Sequence, residues 1–472
     1  MINLILIFPI IACLILFLFK KKFLNNFMII FYAILHFLAS VFIYIDKFVF
    51  PSKFFEADNL SKIFLMVLSA VYLAFSIYNK GYMKDADKSV RKLRHYSYMI
   101  LLFVFSMTGA ILANNLGLAW IFIEGTTLAS AYLIYFDKTK HSIEAAFKYV
   151  FICSIGIALA FVGIILLTAS SGNLNSLFYK DLIENAANFN PFWLKLSFIF
   201  ILFGIGTKMG LAPVHFWLPD AHAEAPSPIS ALLSAALLNS AFLMILNVFK
   251  IITAAGVGDY ARIMMFVMGF LSLFVACVFV YHINNYKRML AYSSIENMGI
   301  LIIGAALGGS GLMASLIHLI GHSFIKASFF MTSGNVLKIY KTKKISNIKG
   351  LIEKDKKTGW LFLLSFIGIT AFPPSILFIS EFIMIKSMLL QKHYFMSAIF
   401  MLFLTIILFG IGRAVISMCY GKNENEIEDK KLPISMYLPQ GILLVLVFVF
   451  GIYMPDSFVN LIFAAASGFL GE

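Results

Sequence analysis

The chain alternates long apolar runs with short polar ones from Asn3 almost to its end. About 20 apolar residues in a helix cross a hydrocarbon core of ~30 Å, and runs of that length recur throughout. By this criterion the spans are 2–19, 27–45, 60–79, 97–113, 116–136, 146–170, 193–213, 228–250, 262–283, 289–308, 312–337, 359–386, 394–420 and 436–463. The pattern predicts an all-α, polytopic transmembrane helix bundle of about 14 helices. The first run starts too close to Met1 for a basic leader region and has no small-residue cleavage site, so it reads as a retained helix.

Charge gives the bundle an orientation. With basic residues near a span's end assigned to the adjoining loop, 25 of the 37 Lys and Arg residues fall to the odd-numbered loops and 9 to the even-numbered ones. The odd set includes Lys20–Lys22, the run from Lys80 to Arg94 and the run from Lys338 to Lys357. The positive-inside rule then places the odd loops in the cytoplasm and both termini outside, in a prokaryotic plasma (inner) membrane. Composition agrees: 61% of the 472 residues are hydrophobic and 13% charged, too few charges to cover a soluble protein of this length. The net charge of +14 is a property of basic loops and implies no nucleic acid. The four cysteines fall in separate apolar runs, with no CxxC pair for an iron–sulfur cluster. No nucleotide-binding glycine motif is present, so any redox chemistry belongs to other chains.

Three basic residues remain at membrane depth: Lys208, Lys326 and Arg413. Glu124, Glu296 and Glu381 join them, with His318 and His322 in the eleventh span and Glu144 and Lys148 near a boundary. Each charge at that depth costs at least ~2.5–3.5 kcal/mol on insertion scales, which marks these groups as functional candidates.

Two spans interrupt themselves. The seventh runs through Gly204, Gly206, Lys208, Gly210 and Pro213 into His215, Pro219, Asp220 and His222; the twelfth contains Pro373-Pro374, with Glu381 beyond. Proline and clustered glycine weaken helical hydrogen bonding, and paired broken helices are a signature of transporter repeats. Glu124 and Glu296 lie 172 positions apart, Lys208 and Glu381 173 apart. A repeat of five helices inserts its second copy upside down. The chain therefore divides into an N-terminal three-helix segment (1–95), a first repeat (96–255, helices 4–8), a second, inverted repeat (256–421, helices 9–13) and a C-terminal helix (422–472).

Within the first repeat, Glu124 is expected to pair with Lys208. Burial disfavours the charged form of each and the partner's charge restores it, so changing their separation moves a proton on or off the lysine. A carboxylate held by Thr127 and a lysine snorkelling to an interface are the structural alternatives. His318, His322 and Lys326 follow i, i+4, i+8 spacing on one helix face. That stripe suits a proton relay, because imidazole exchanges protons near neutral pH; a metal half-site lacks a third ligand at useful spacing. Arg413 either neutralises Glu381 or anchors packing. Asp220, His222 and Glu224 form a polar turn, which is either an ordinary loop or a gate.

The run Gly206-Thr-Lys208-Met-Gly-Leu-Ala-Pro213-Val-His215-Phe-Trp-Leu-Pro219-Asp220-Ala-His222-Ala-Glu-Ala-Pro226-Ser-Pro228 resembles a signature of the antiporter-like, proton-translocating membrane subunits. These occur in complex I, membrane-bound hydrogenases and multisubunit cation/proton antiporters. His318-Leu-Ile-Gly-His322-Ser-Phe-Ile-Lys326-Ala resembles a second signature. The resemblance covers spans 4 to 13. It implies a proton pathway through Glu124, Lys208, His318, His322, Lys326 and Glu381, with Lys148, His215, His222, Asn239, Glu296 and Arg413 as auxiliary candidates. Many relatives carry a bridging lysine in the eighth span, where this chain has Asn239. Tyr292-Ser-Ser-Ile-Glu296-Asn297-Met-Gly, Ser380-Glu381-Phe and the Leu232–Leu238 region look most like the F component of hydrogenase-4-type complexes. The end at Glu472 leaves no room for the long lateral helix of the distal complex I subunit.

The resemblance implies a subunit without cofactor, metal or catalytic site of its own. Its partners would be other membrane subunits and a peripheral redox arm carrying iron–sulfur clusters and a nickel–iron site. A sodium/proton antiporter module and a non-pumping membrane scaffold are the competing readings. Lysine and imidazole repel cations or pass protons, which favours the proton.

Overall fold

A computed structural model describes residues 1–47, 52–84, 89–172, 174–422 and 431–469. Asp85, Asp87 and Lys88 of the third loop, and the terminal Glu472 whose side of the membrane the charge bias addresses, lie outside the described residues. The described residues contain no strand, only three isolated bridges between loops. The first three helices are α1 (Ile2–Leu18), α2 (Lys22–Tyr44) and α3 (Asn59–Tyr82). Next come α4 (Val90–Leu112), α5 (Leu116–Ile134), α6 (Lys140–Ser170), the short α7 (Tyr179–Glu184) and α8 (Pro191–Met209). After a break, α9 (Leu218–Glu224) leads to α10 (Ser227–Leu232), which continues through a π-helical turn into α11 (Leu238–Ala254). The second set is α12 (Gly258–Val280), α13 (Tyr286–Leu307), α14 (Gly309–Tyr340), the short α15 (Leu351–Lys354), α16 (Lys356–Ile369), α17 (Ile376–Leu390) and α18 (Tyr394–Cys419). The chain closes with α19 (Leu438–Ile452) and α20 (Asp456–Ser467). With α10 and α11 counted as one rod, twelve of the described helices are long and apolar enough to cross a membrane.

Polar side chains cap seven of the described helices, and two of these begin well before hydropathy predicts. Ser89 accepts from the Lys92 amide at 3.3 Å, so α4 starts at Val90 and not at 97. Thr139 caps Ser142 at 3.1 Å, so α6 starts at Lys140 and not at 146. Each side-chain oxygen satisfies one of the orphaned amides of a first helical turn. Basic first turns thus extend beyond the apolar stretch. At the other end of the chain the predicted helix over 436–463 is two helices, because Pro455 cannot continue α19 and instead opens α20.

Both predicted breaks are present, with one boundary moved. The seventh span ends at Met209 and not at 213, because Gly210 adopts φ +79° and caps α8. A Cβ there would collide with Leu218, so glycine serves both the turn and the approach. Freed backbone groups find new partners, as membrane depth requires. Trp217 Nε1 donates to the Thr207 carbonyl at 2.7 Å, and the Ala212 amide donates to Ser272 Oγ at 2.9 Å. In the second break Ser375 Oγ donates to the Gly368 carbonyl at 3.0 Å and accepts from the Leu377 amide at 3.3 Å. Gly451 of α19 lies against the Pro374 carbonyl with no room for a side chain.

The long helices α6 (31 residues) and α14 (32 residues) each pack beside a broken helix, α6 on α8 and α14 on α16 and α17. The continuous α10–α11 rod is buried along its length and touches α8, α12 and α14. The N-terminal helices are tied to this centre: Tyr78 of α3 donates to the Met331 carbonyl of α14 at 2.6 Å.

Candidate functional site

The polar interior starts on α8. Lys208 sits in the last turn before the break and is fully buried. Its ammonium donates to the Tyr149 hydroxyl at 3.0 Å and lies over that ring at 4.8 Å. It does not snorkel. Tyr149 and Ser130 share a second hydrogen bond of 2.6 Å, which joins α6 to α5. Glu124, further along α5, accepts from Thr127 at 3.0 Å. The expected Glu124–Lys208 contact is therefore not a direct ion pair here: Tyr149 takes the near position, and the Glu124 charge acts on Lys208 from further away. The reason is packing. Gly204 and Gly156 bring α8 and α6 into backbone contact, with an added Cβ at Gly204 only 2.5 Å from the Gly156 carbonyl. That approach points Lys208 at α6.

In the other half, the His318, His322 and Lys326 stripe occupies a fully buried face of α14. His318 is held from two sides: Nδ1 meets Ser380 Oγ of α17 at 2.9 Å, and Nε2 meets Asn297 Oδ1 of α13 at 3.0 Å. Both ring nitrogens are occupied, so His318 is no free metal ligand. Lys326 donates to the Leu290 carbonyl of α13 at 2.8 Å. Glu296 is also buried on α13, and its charge and that of Lys326 act on one another. His322 lies between His318 and Lys326 in sequence and is fully buried, yet neither ring nitrogen has a protein partner.

Asn239 joins the halves. Its Nδ2 donates to Ser323 Oγ of α14 at 2.7 Å and to the Ala235 carbonyl at 2.9 Å, while Oδ1 lacks a partner. His222 of α9 stacks on Phe330 of α14 with centroids 5.1 Å apart, and feels the charges of Lys287 and Lys326. Its two nitrogens are unpartnered as well. His215, in the first break, stacks on Phe216 and faces Tyr292 edge-on.

Other candidates lie elsewhere. Lys148 is half-exposed and pairs with Glu144 at 2.8 Å and Asp220 at 3.3 Å, while Arg288 also contacts Asp220. Lys343 meets Glu224 at 3.0 Å. The polar turn is thus clamped by bases from three other segments, of which Lys148 and Arg288 line a cavity of about 280 Å³. Arg413 is exposed on α18 and donates to the Tyr281 hydroxyl at 2.8 Å, an anchoring contact and not a partner for Glu381. Glu381 lies after its break whereas Lys208 lies before the other one, so the 173-residue offset does not make them positional equivalents. Glu124 and Glu381 are both half-buried on flanks of the chain, beside exposed Ile121 and Leu128 and beside exposed Phe378 and Phe382 respectively.

Residue-type reasoning overlooked two groups. Tyr149 is uncharged and stands beside the more conspicuous Lys148; its signal is that His322 lies 173 positions further on, at the repeat offset. Lys287 reads as a loop base next to Arg288, but α13 begins before it. It is buried, with its ammonium on the Ala225 carbonyl at 2.5 Å.

An all-helical membrane bundle with two broken helices, buried lysines, imidazoles and one carboxylate in its interior, and a half-buried carboxylate on each flank, defines a transporter-type membrane protein. The chain belongs to the NADH:quinone oxidoreductase/Mrp antiporter transmembrane family, whose pattern matches residues 113–407. It is 32% identical to a hydrogenase-4 component F homolog of Methylacidiphilum infernorum over 97% of both chains. It is 26% identical to the N subunit of the F420H2 dehydrogenase of Methanosarcina mazei, over 88% of this chain and 85% of that one. In fold it matches a chain of an archaeal respiratory complex, the membrane-bound sulfane sulfur reductase, with a TM-score of 0.90 at 21% identity over 99% and 97% of the two chains. A chain of the Mrp complex from Dietzia sp. matches with a TM-score of 0.85 at 16% identity, again over 99% and 97%.

Proposed function

We propose that this chain moves protons across the membrane as one subunit of a redox-driven complex of the hydrogenase-4 or complex I kind. The observation that carries the reading is the polar axis itself. Glu124, Tyr149 and Lys208 lie on one side, Asn239 bridges, and His322, His318, Lys326, Glu296 and Glu381 lie on the other. Buried polar atoms are normally paired with protein or water. The bare nitrogens of His222 and His322, with the Asn239 oxygen and the Ser293 hydroxyl, are where water would complete the route. The 96–255 and 256–421 segments act as two inverted units joined there.

In this mechanism the Tyr149 hydroxyl holds Lys208 in place, and a charge change beside Glu124 alters how firmly the lysine keeps its proton. A released proton passes by way of Asn239 and water to His322, and on toward Glu381. The energy comes from outside the chain, since moving one charge against the potential costs ~2.3 kcal/mol per 100 mV. Support for a redox neighbour comes from the relative named as a hydrogenase-4 component. The half-buried Glu124 and Glu381 flanks are where related membrane subunits would dock, and a peripheral arm with iron–sulfur clusters and a nickel–iron site would supply the electrons. The protein would sit in the plasma membrane with its lysine-rich loops inside.

Gentle detergent extraction should recover a complex containing related membrane subunits and an iron–sulfur arm. Turnover in proteoliposomes should move protons without any sodium requirement. Sodium flux abolished by Glu124→Gln would favour the antiporter module. A protein that purifies alone and still transports would exclude the redox-driven reading.

A further inference from the structure

A second polar cavity, of about 320 Å³, lies away from the proton axis, where α2 begins, α3 ends and α4 passes. Lys22, Asn25, Asn26, Lys80, Lys84 and Ser97 line it. The three lysines are exposed, and among the described residues none of them pairs with a carboxylate. Asn25 differs from them: it is 4% exposed, yet its Nδ2 donor has no hydrogen-bond partner. A buried amide donor opening into a basic cavity is short of an acceptor, and an acceptor carrying negative charge satisfies the donor and the lysines together.

The surface beside the cavity indicates what carries that charge. From Lys22 onward the outer side of α2 bears Phe23, Phe27 and Phe31, stacked at 5.7 and 5.8 Å along the helix and exposed by 75%, 43% and 43%. This column runs from the basic end toward membrane depth, one stripe round the helix from Lys22 and Asn26. We infer that the cavity at the α2, α3 and α4 ends binds the phosphate of an anionic phospholipid, with an acyl chain lying along the Phe23–Phe27–Phe31 column. Basic pockets between helices on the lysine-rich side of a membrane suit such headgroups. A soluble phosphate would satisfy the cavity but would leave the column uncovered.

The test uses the whole detergent-extracted complex, stripped of lipid and titrated separately with phosphatidylglycerol, phosphatidylcholine and inorganic phosphate while bound lipid is followed by native mass spectrometry. Phosphatidylglycerol should bind saturably, and phosphatidylcholine far more weakly. The double variant Lys22→Gln/Lys80→Gln should weaken phosphatidylglycerol about 25-fold, from about fivefold or ~1 kcal/mol per lysine near the surface. Asn25→Leu should weaken it several-fold; the double variant changes only exposed side chains and so tests the site even if Asn25→Leu misfolds. Equal binding of phosphatidylcholine, or unchanged phosphatidylglycerol binding in the double variant, overturns the inference. Inorganic phosphate binding as tightly as the lipid overturns the lipid assignment.

Discussion

The nearest polar neighbour of Lys208 is the Tyr149 hydroxyl, 3.0 Å from its ammonium, with the phenol ring 4.8 Å beneath the charge. Tyr149 in turn shares a 2.6 Å hydrogen bond with Ser130, so one phenol ties the lysine of α8 to α6 and α5. The switch proposed for the first half acts on this three-helix contact.

Tyr149→Phe keeps the ring under the lysine and removes only the hydroxyl. A hydrogen bond to a charged group is worth ~1.5–3 kcal/mol, so proton translocation should fall about tenfold or more while the complex still assembles. Comparing dye-detected proton uptake with electron transfer in the same proteoliposomes checks this. Full pumping would show that the hydroxyl only packs.

Gly204→Ala puts a methyl group 2.5 Å from the Ala160 amide and the Gly156 carbonyl. Backbone cannot give way cheaply, so α8 should separate from α6 and stability should drop by ~1–3 kcal/mol. Lys208 lies one turn away, so pumping should fall with it. A melting curve in detergent, read against wild type, gives the first quantity.

Asn297→Leu leaves one nitrogen of the buried His318 without its partner. Stranding a buried polar group costs ~1–3 kcal/mol, so the variant should melt earlier, with a slower transfer step. His318→Gln keeps hydrogen-bonding capacity toward both α13 and α17 and should be milder in both respects. If the two variants melt alike, His318 is not held as described.

The loop asymmetry predicts sidedness. Glu353→Cys should react with a membrane-impermeant thiol reagent from the cytoplasm, and Glu184→Cys only from outside. Both positions are exposed, Glu353 on the short helix α15 and Glu184 at the end of the short helix α7, each between spans. The opposite labelling pattern would invert the bundle.

Much of this was legible in the sequence because the bilayer restricts what a chain can do. Apolar length marked the helices, and glycine with proline marked both breaks. Hydropathy does not register polar caps, so Ser89 and Thr139 start their helices before the apolar stretch does. The site was legible where it is charged and obscure where it is not. Lys208, His318 and Lys326 stand out at membrane depth, whereas Tyr149, Asn297 and Ser380 are ordinary residues until the fold brings them within hydrogen-bonding distance. Spacing also misjudged distance. Spacing assigns Glu124 and Lys208 to one repeat and so suggests a contact, but the glycine contact between α6 and α8 aims the lysine at Tyr149.

The central claim is that protons cross by way of Lys208. The direct measurement is the proton-to-electron ratio of the reconstituted complex carrying Lys208→Ala, with electron transfer and subunit composition recorded on the same preparation. The account predicts an assembled complex that still transfers electrons and has lost most of the translocation due to this chain. An unchanged ratio in an intact complex would contradict it and leave the chain a scaffold.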